Sequence, residues 1–302
     1  MDCKNNISLV VSSCDKYEDA WYPYFELLKK FWPEHPERIY LISENKSYST
    51  EGLNIESCNF GDNCTWSERL YNTLEKIESK YVIFSLEDFF LLDYVKQEMI
   101  EKCVQWMDED SSIVECRFHG SEYDGLAESE KYAPFRFAGD DTPYRLDTQV
   151  ALWNREALMS FIDRTENPWQ FEGTGTKRII GTDKKFLWLY NPEPENISGD
   201  VFPYRIYQWF GYGIAWGHWL WNNKKWFREN GIEKVKFNRL GLLSEKSVKR
   251  RYAHLYLYNR SPKKWEKLIA PIWRFGIKLR KVKANIAIFG LKKGLSESWK
   301  NK

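Results

Sequence analysis

Short apolar runs alternate with amphipathic stretches along the first two thirds of the chain. Ile7-Ser8-Leu9-Val10-Val11-Ser12-Ser13 predicts a strand that ends in the polar turn Cys14-Asp15-Lys16. Over residues 17–31, Trp21, Tyr24, Phe25, Leu28 and Phe31 recur at helical spacing, and Trp32-Pro33 ends that helix. Residues 38–43 predict a second strand and 53–58 a short third. A helix over 66–79 carries Leu70, Leu74 and Ile77 on one face. Further on, the pattern predicts a helix over 95–107, strands over 112–118, 148–153 and 185–190, and a helix over 155–164. Residues 119–146 read as irregular, 166–181 as a polar stretch containing glycines, and 191–221 as aromatic loop. Strands alternating with helices imply an α/β fold, a mostly parallel sheet flanked by helices.

One run stands out. Tyr81-Val82-Ile83-Phe84-Ser85-Leu86 is a continuous apolar strand that runs into Glu87-Asp88 and then into Phe89-Phe90-Leu91. Such uniformly apolar strands are buried on both faces, and ligands of open α/β sheets bind beyond the carboxyl ends of the strands. Glu87 and Asp88 therefore stand where a ligand or metal is held. The plainer alternative is a solvated strand end or a cap on the next element.

Composition narrows the class. Hydrophobic residues make up 43% of the 302 and charged residues 29%, which marks a globular chain. No run of about 18 apolar residues exists to span a bilayer, and the first residues lack the layout of a signal peptide. Six cysteines without a C-x-x-C pair, and four scattered histidines, argue against structural zinc and for free thiols in the cytoplasm. The 15 Trp, 18 Tyr and 18 Phe favour a carbohydrate or membrane-surface role as well as a large core.

Charge is unevenly divided. Residues 245–302 carry 17 basic and 3 acidic side chains, a net of +14, whereas the rest carries 28 basic and 40 acidic, a net of −12. This predicts an acidic globular body over 1–244, with halves of about 1–118 and 119–244, and a basic, aromatic helical extension over 245–302. Within the extension, Trp273, Phe275 and Ile277 interleave with Arg274, Lys278, Arg280, Lys281 and Lys283. Basic amphipathic helices of this kind lie on anionic membrane surfaces. A solvated helix packed on the body is the alternative, and a nucleic-acid patch ranks last, since no nucleic-acid module accompanies it.

Three segments together carry a family resemblance. They are Val10-Val11-Ser12-Ser13-Cys14-Asp15, the helix and strand from Trp66 through Glu87-Asp88, and Ala151-Leu152-Trp153-Asn154-Arg155-Glu156-Ala157-Leu158 followed by Asn167-Pro168-Trp169-Gln170-Phe171-Glu172. Over residues 7–190 the chain resembles bacterial GT-A-type glycosyltransferases of surface polysaccharide (capsule or lipopolysaccharide) assembly. The resemblance implies a GT-A-like, Rossmann-related fold. It also implies a nucleotide-sugar donor, a glycan or lipid-linked acceptor, and a site on the inner face of the plasma membrane. Glu87 and Asp88 then take the place of the acidic D-x-D motif, which holds Mn2+ or Mg2+ against the donor diphosphate. The pattern departs from that motif, because the two acids are adjacent and Phe89 follows. Adjacent strand residues point to opposite faces, so both reach one ion only at a bend.

The resemblance also makes Glu172 the general base of an inverting transfer, removing the proton of the attacking hydroxyl. A surface or capping glutamate is the alternative. Asp15 is a candidate for the nucleoside and equally for an Asx-type turn. Arg69 is a candidate for the diphosphate, although an ordinary exposed arginine on that helix is the reading that the residues alone favour. Asp147 and Gln149 can hydrogen-bond sugar hydroxyls, while Trp153 and Trp169 can stack on a sugar, with core packing the alternative for Trp153. His218 is either a late metal ligand or a packed structural histidine. Two other functions remain in view, a non-catalytic carbohydrate-binding or scaffold protein at the membrane and a nucleotidyltransferase. The latter calls for a Gly-rich basic loop after the first strand, where this chain has one lysine, Lys16.

Overall fold

A computed structural model describes residues 6–204 apart from 122, 124, 194 and 195, then 213–215, 217–235, 237, 242–244 and 246–247. The chain divides into two compact units, Met1–Leu242 and Leu243–Lys302. The predicted basic extension lies almost wholly outside the described residues.

Eight strands form one sheet: β1 Ile7–Ser12, β2 Ile39–Ser43, β3 Ile55–Asn59, β4 Tyr81–Leu86, β5 Ile113–Ser121, β6 Phe135–Phe137, β7 Ala151–Asn154 and β8 Lys185–Tyr190. Their order is β3-β2-β1-β4-β7-β5-β8-β6. β3, β2, β1 and β4 are parallel neighbours, as are β5 and β8. β7 runs antiparallel between β4 and β5, and β6 antiparallel beside β8. This is the mostly parallel, helix-flanked sheet that the sequence predicts.

Helices cover both faces, and period-two alternation shares the strand residues between them. Leu9, Val11, Tyr81, Ile83 and Leu152 face a core shared with α1 (Glu18–Phe31) and α3 (Gln97–Glu109). Val10, Val82, Phe84, Ala151 and Trp153 face the other core, with α2 (Trp66–Lys76) and α4 (Arg155–Phe161). All six residues of β1 are buried, which is why it reads as an unbroken apolar run. Helix starts follow local chemistry. Thr65 accepts from the Glu68 N–H to cap α2, and Asn154 accepts from Ala157 to turn β7 straight into α4.

The connections define the crevice. From β1 the chain steps outward through β2 and β3, then crosses back through α2 to β4 on the other side of β1. The order therefore switches between β1 and β4, and ligands of open α/β sheets bind at the carboxyl ends of the strands at such a point. Ser12 at the end of β1 is in register with Leu86 at the end of β4, so Glu87 and Asp88 emerge directly at this switch.

Trp153 belongs to the core and not to a sugar site. It is 1% exposed and packs edge-on against Phe161 and Phe186. Trp153→Ala is expected to cost about 3–5 kcal/mol, read as a lowered urea midpoint at unchanged slope. A cost below about 1 kcal/mol would contradict this packing role.

Candidate active site

The edge at the ends of β1 and β4 is held by two indoles that come from opposite faces of the sheet. Trp21 of α1 donates to the Ser13 hydroxyl at 2.7 Å, and Trp66 of α2 donates to Ser12 at 2.8 Å. Tyr24 of α1 donates to Ser85 of β4 at 3.0 Å. The polar ends of β1 and β4 are thereby fixed without closing the edge. Beyond β4 the chain bends at once, with the Phe89 N–H donating to the Leu86 carbonyl at 3.2 Å. Glu87 and Asp88 thus sit on a turn, the bend that adjacent acids need to serve one site. They are not equivalent, since Glu87 is 7% exposed and Asp88 is half-buried. Burial, then the charges of Glu87 and Glu44, pushes the Cys14 thiol up to about 11, which places Glu87 in the field at the end of β1.

Aromatic packing anchors the turn from below. Phe89 stacks on Tyr204 at 4.5 Å, and Phe90 stacks at 5.8 Å on Trp219 of the strand β10 (His218–Leu220), which pairs with β9 (Ile214–Ala215). The Gly213 N–H donates to the Asp88 carbonyl at 2.9 Å. A Cβ at Gly213 would stand 2.1 Å from the Phe90 ring, so only glycine permits this approach. Phe89, at the position of the usual second acid, is here a structural anchor.

Two expected donor ligands have other duties. Asp15 accepts from the backbone N–H groups of Asn45 and Lys46, at 3.0 Å each, and so holds the loop after β2. Desolvation raises its pKa, but these backbone bonds outweigh it and hold the carboxyl below its usual range. Arg69 is buried, pairs with Glu44 at 2.9 Å and donates to the Cys64 carbonyl at 2.9 Å. Glu44 in turn accepts from the Asp15 N–H. Both side chains bind loops together at this edge.

Glu172 lies on a helical segment that hydropathy does not announce. α5 (Pro168–Gln170), a π turn (Phe171–Gly175) and α6 (Thr176–Arg178) run on without a break. Asn167 starts it with a reciprocal capping box to Gln170, followed by Pro168 at the first helical position. π turns are rare and occur frequently at functional sites, and Glu172 lies within this one. Its Oε1 accepts from the Thr148 hydroxyl at 2.7 Å and the Thr148 N–H at 3.2 Å. The segment is held at its far end by Arg178, which meets Glu166 through two hydrogen bonds of 3.0 and 2.9 Å. Trp169, three positions before Glu172, is 78% exposed.

Trp66 joins the two sides. While bound to Ser12, its ring packs edge-on to Phe84 of β4 and at 5.5 Å against Phe171, the neighbour of Glu172. β7 brings the remaining groups to the same edge. Its antiparallel register pairs Ala151 with Phe84 of β4 and with Arg117 of β5, so residues 147–149 enter beside the exits of both strands. Gln149 accepts from the Tyr204 hydroxyl at 2.6 Å, which links it to the ring stacked on Phe89.

Beneath this edge is a buried charge network with no sequence motif. Arg117 pairs with Asp147 at 2.9 Å and Glu115 at 3.3 Å, lies 3.5 Å over the Trp188 ring, and donates to the carbonyls of Tyr144 and Arg145. Trp188 donates to the other Glu115 oxygen at 3.2 Å. Arg145, which also faces Glu115, is tied to Asp140. Burial pushes Asp147 up to about 7 against the pull of Arg117, with Glu115 and Glu172 adding to the rise. The ion-pair distance favours a charged Asp147, but burial outweighs the pull of an Arg117 that it shares with Glu115. A folded pKa above the ordinary 3.8 means that Asp147 stabilises the fold fully below about pH 4, and that this contribution is lost as pH rises through about 7. Asp147→Asn is therefore expected to flatten the fall in Tm between about pH 5 and 8. An unchanged slope would contradict the raised pKa.

His218 is half-buried on β10. Among the described residues, no group of three or more His, Cys, Asp or Glu side chains stands together to hold a metal, and none of the helices is long and apolar enough to cross a membrane.

No family model and no curated protein matches the chain. Solved structures similar to it include TarS residues 1–349 from S. aureus, at 12% identity and a TM-score of 0.41 over 62% of this chain and 61% of that one. A second is the mannosyltransferase PcManGT from Pyrobaculum calidifontis in complex with GDP-Man and Mn2+, at 11% identity and a TM-score of 0.41 over 62% and 55%. A third is a cytidylyltransferase from Leptospira borgpetersenii, at 8% identity and a TM-score of 0.38 over 62% and 76%. The match thus spans about three fifths of the first structure's length. Likeness of this degree says nothing of substrate.

Proposed function

We propose that the protein transfers a sugar from a nucleotide-sugar donor to a glycan or lipid-linked acceptor, with inversion at the anomeric carbon. One observation carries this reading. The acidic turn at the β1/β4 switch point and the anchored acid Glu172 meet one sheet edge, and Trp66 touches both sides. The donor diphosphate lies against the Glu87-Asp88 turn and the acceptor approaches along Trp169 and Glu172.

Glu172 removes the proton of the acceptor hydroxyl as its oxygen bonds to the anomeric carbon. The bond from that carbon to the phosphate oxygen breaks, and its electron pair leaves with the nucleoside diphosphate. Thr148 occupies Oε1, so Oε2 is the oxygen that receives the proton. Exposed Trp169 offers a flat apolar face to a pyranose ring.

A divalent ion fits the donor side. Mg2+ sites commonly take one or two protein carboxylates and complete their shell with water and substrate phosphates. Asp88, with Glu87 on the same turn, supplies such a set. Bound there, Mn2+ or Mg2+ neutralises charge developing on the leaving diphosphate.

Calorimetry with UDP, GDP, CMP and dTDP, with and without Mn2+, is expected to yield one clear binder. Glu172→Gln should bind it within about twofold of the parent while turnover falls about 10²–10⁴-fold. Retained turnover would remove Glu172 from its role, and no nucleotide binding would favour the non-catalytic carbohydrate-binding alternative.

The setting we infer is the inner face of the plasma membrane, in surface polysaccharide assembly, and its support is the net charge of +14 over residues 245–302. Each basic residue at an anionic surface contributes on the order of 1 kcal/mol. The full chain should sediment with vesicles containing phosphatidylserine and not with neutral ones, and salt should release it. Equal binding to both would contradict an electrostatic attachment.

A further inference from the structure

We propose that Thr148 is the positioning residue of Glu172, and that the buried Arg117–Asp147 pair is the anchor that gives Thr148 its fixed place. The proposal rests on the reading of Glu172 as base.

The need for a positioning group follows from local chemistry. Glutamate has three rotatable side-chain bonds, and Glu172 stands in a wide helical turn beside exposed Gly173. A base must be held within hydrogen-bond reach of the proton it takes, and small misplacements cost much of the rate. Thr148 meets this need with two donors on one oxygen, the hydroxyl at 2.7 Å and the N–H at 3.2 Å. Among the described residues no donor reaches the other oxygen, so the carboxylate is fixed and still open on one side.

Thr148 is itself held from both sides and is only 5% exposed. Before it, the Asp147 carboxylate meets Arg117 at 2.9 Å and accepts from the Gln149 N–H at 3.0 Å. After it, the Gln149 side chain takes the Tyr204 hydroxyl, and the Val150 carbonyl accepts from Phe118 at 3.0 Å. Leu146 is clasped from the other side, its N–H and carbonyl both bonded to the Thr176 hydroxyl at 3.0 Å. A Cβ on Gly175 would lie 2.7 Å from the Leu146 side chain, so the strand entry and the π turn are in close contact. Position thus passes from β5 through Arg117 and Asp147 to Thr148, and from Thr148 to the reacting carboxylate.

The test uses Thr148→Val, which removes the hydroxyl at nearly constant shape, and Thr148→Ser, which keeps it. With the nucleotide sugar identified by calorimetry, Thr148→Val should lower kcat about 10–100-fold and leave donor KM and nucleotide Kd unchanged, and Thr148→Ser should restore most of the rate. In a Glu172→Gln background Thr148→Val should add no further loss, as expected of groups acting as a unit. Crystal structures of the two variants provide a readout that needs no substrate. The Glu172 carboxylate should keep its place in Thr148→Ser and leave it in Thr148→Val. A full rate in Thr148→Val, equal losses in both variants, a multiplied loss beside Glu172→Gln, or an unmoved carboxylate would overturn the proposal. Full activity of Glu172→Gln alone would instead overturn the reading of the base.

Discussion

The antiparallel insertion of β7 between β4 and β5 is the constraint on which the rest of the site depends. A parallel strand at that position would deliver its first residues to the opposite edge of the sheet. Because β7 runs against its neighbours, Asp147, Thr148 and Gln149 enter where β4 and β5 exit. Backbone pairing alone thus brings the acidic turn after β4 and the support of Glu172 to one edge. The side-chain bonds refine that placement: Trp66 across the gap, Tyr204 onto Gln149, and Thr148 onto Glu172.

That edge is held at an electrostatic cost. Burying Asp147 and Glu115 against Arg117 is not a source of net stability, because desolvation offsets most of the attraction. Stacking on Trp188 and the carbonyls of Tyr144 and Arg145 satisfy what remains of Arg117. Buried polar networks rigidify what they hold, and here the arrangement ends at the half-buried Glu172 carboxylate beside Gly173. The ends of β1 and β4 are also held by neutral groups, two indoles and a phenol bonded to serines.

Much of this fold was legible in the sequence because β1, β2 and β4 are buried on both faces and so read as continuous apolar runs. Their order with α1 and α2 followed from helical spacing. The direction of β7 was not legible, since hydropathy has no sign along the chain and four residues carry little pattern. The helical character of the segment around Glu172 was not legible, because its start depends on the Asn167–Gln170 capping box and its middle contains Gly173 and Gly175. Asp15 and Arg69 were legible as charged groups near the crevice, but their partners, the N–H groups of Asn45 and Lys46 and the side chain of Glu44, come from a loop whose path no local pattern encodes. Trp153 and Trp169 are the same residue type and opposite in burial, and only the packing of β7 separates them. Arg117 and Glu115 sit on a strand that reads as ordinary, and their pairing to Asp147 requires the tertiary fold.

The central claim is that the crevice between the ends of β1 and β4 takes a nucleoside diphosphate, with Glu172 across from it on the acceptor side. A crystal structure of the protein with its preferred nucleoside diphosphate and Mn2+ tests this most directly. The diphosphate and the ion are expected at the Glu87-Asp88 turn, on the side of the edge that faces Glu172. A nucleotide bound away from the carboxyl ends of β1 and β4 would contradict it.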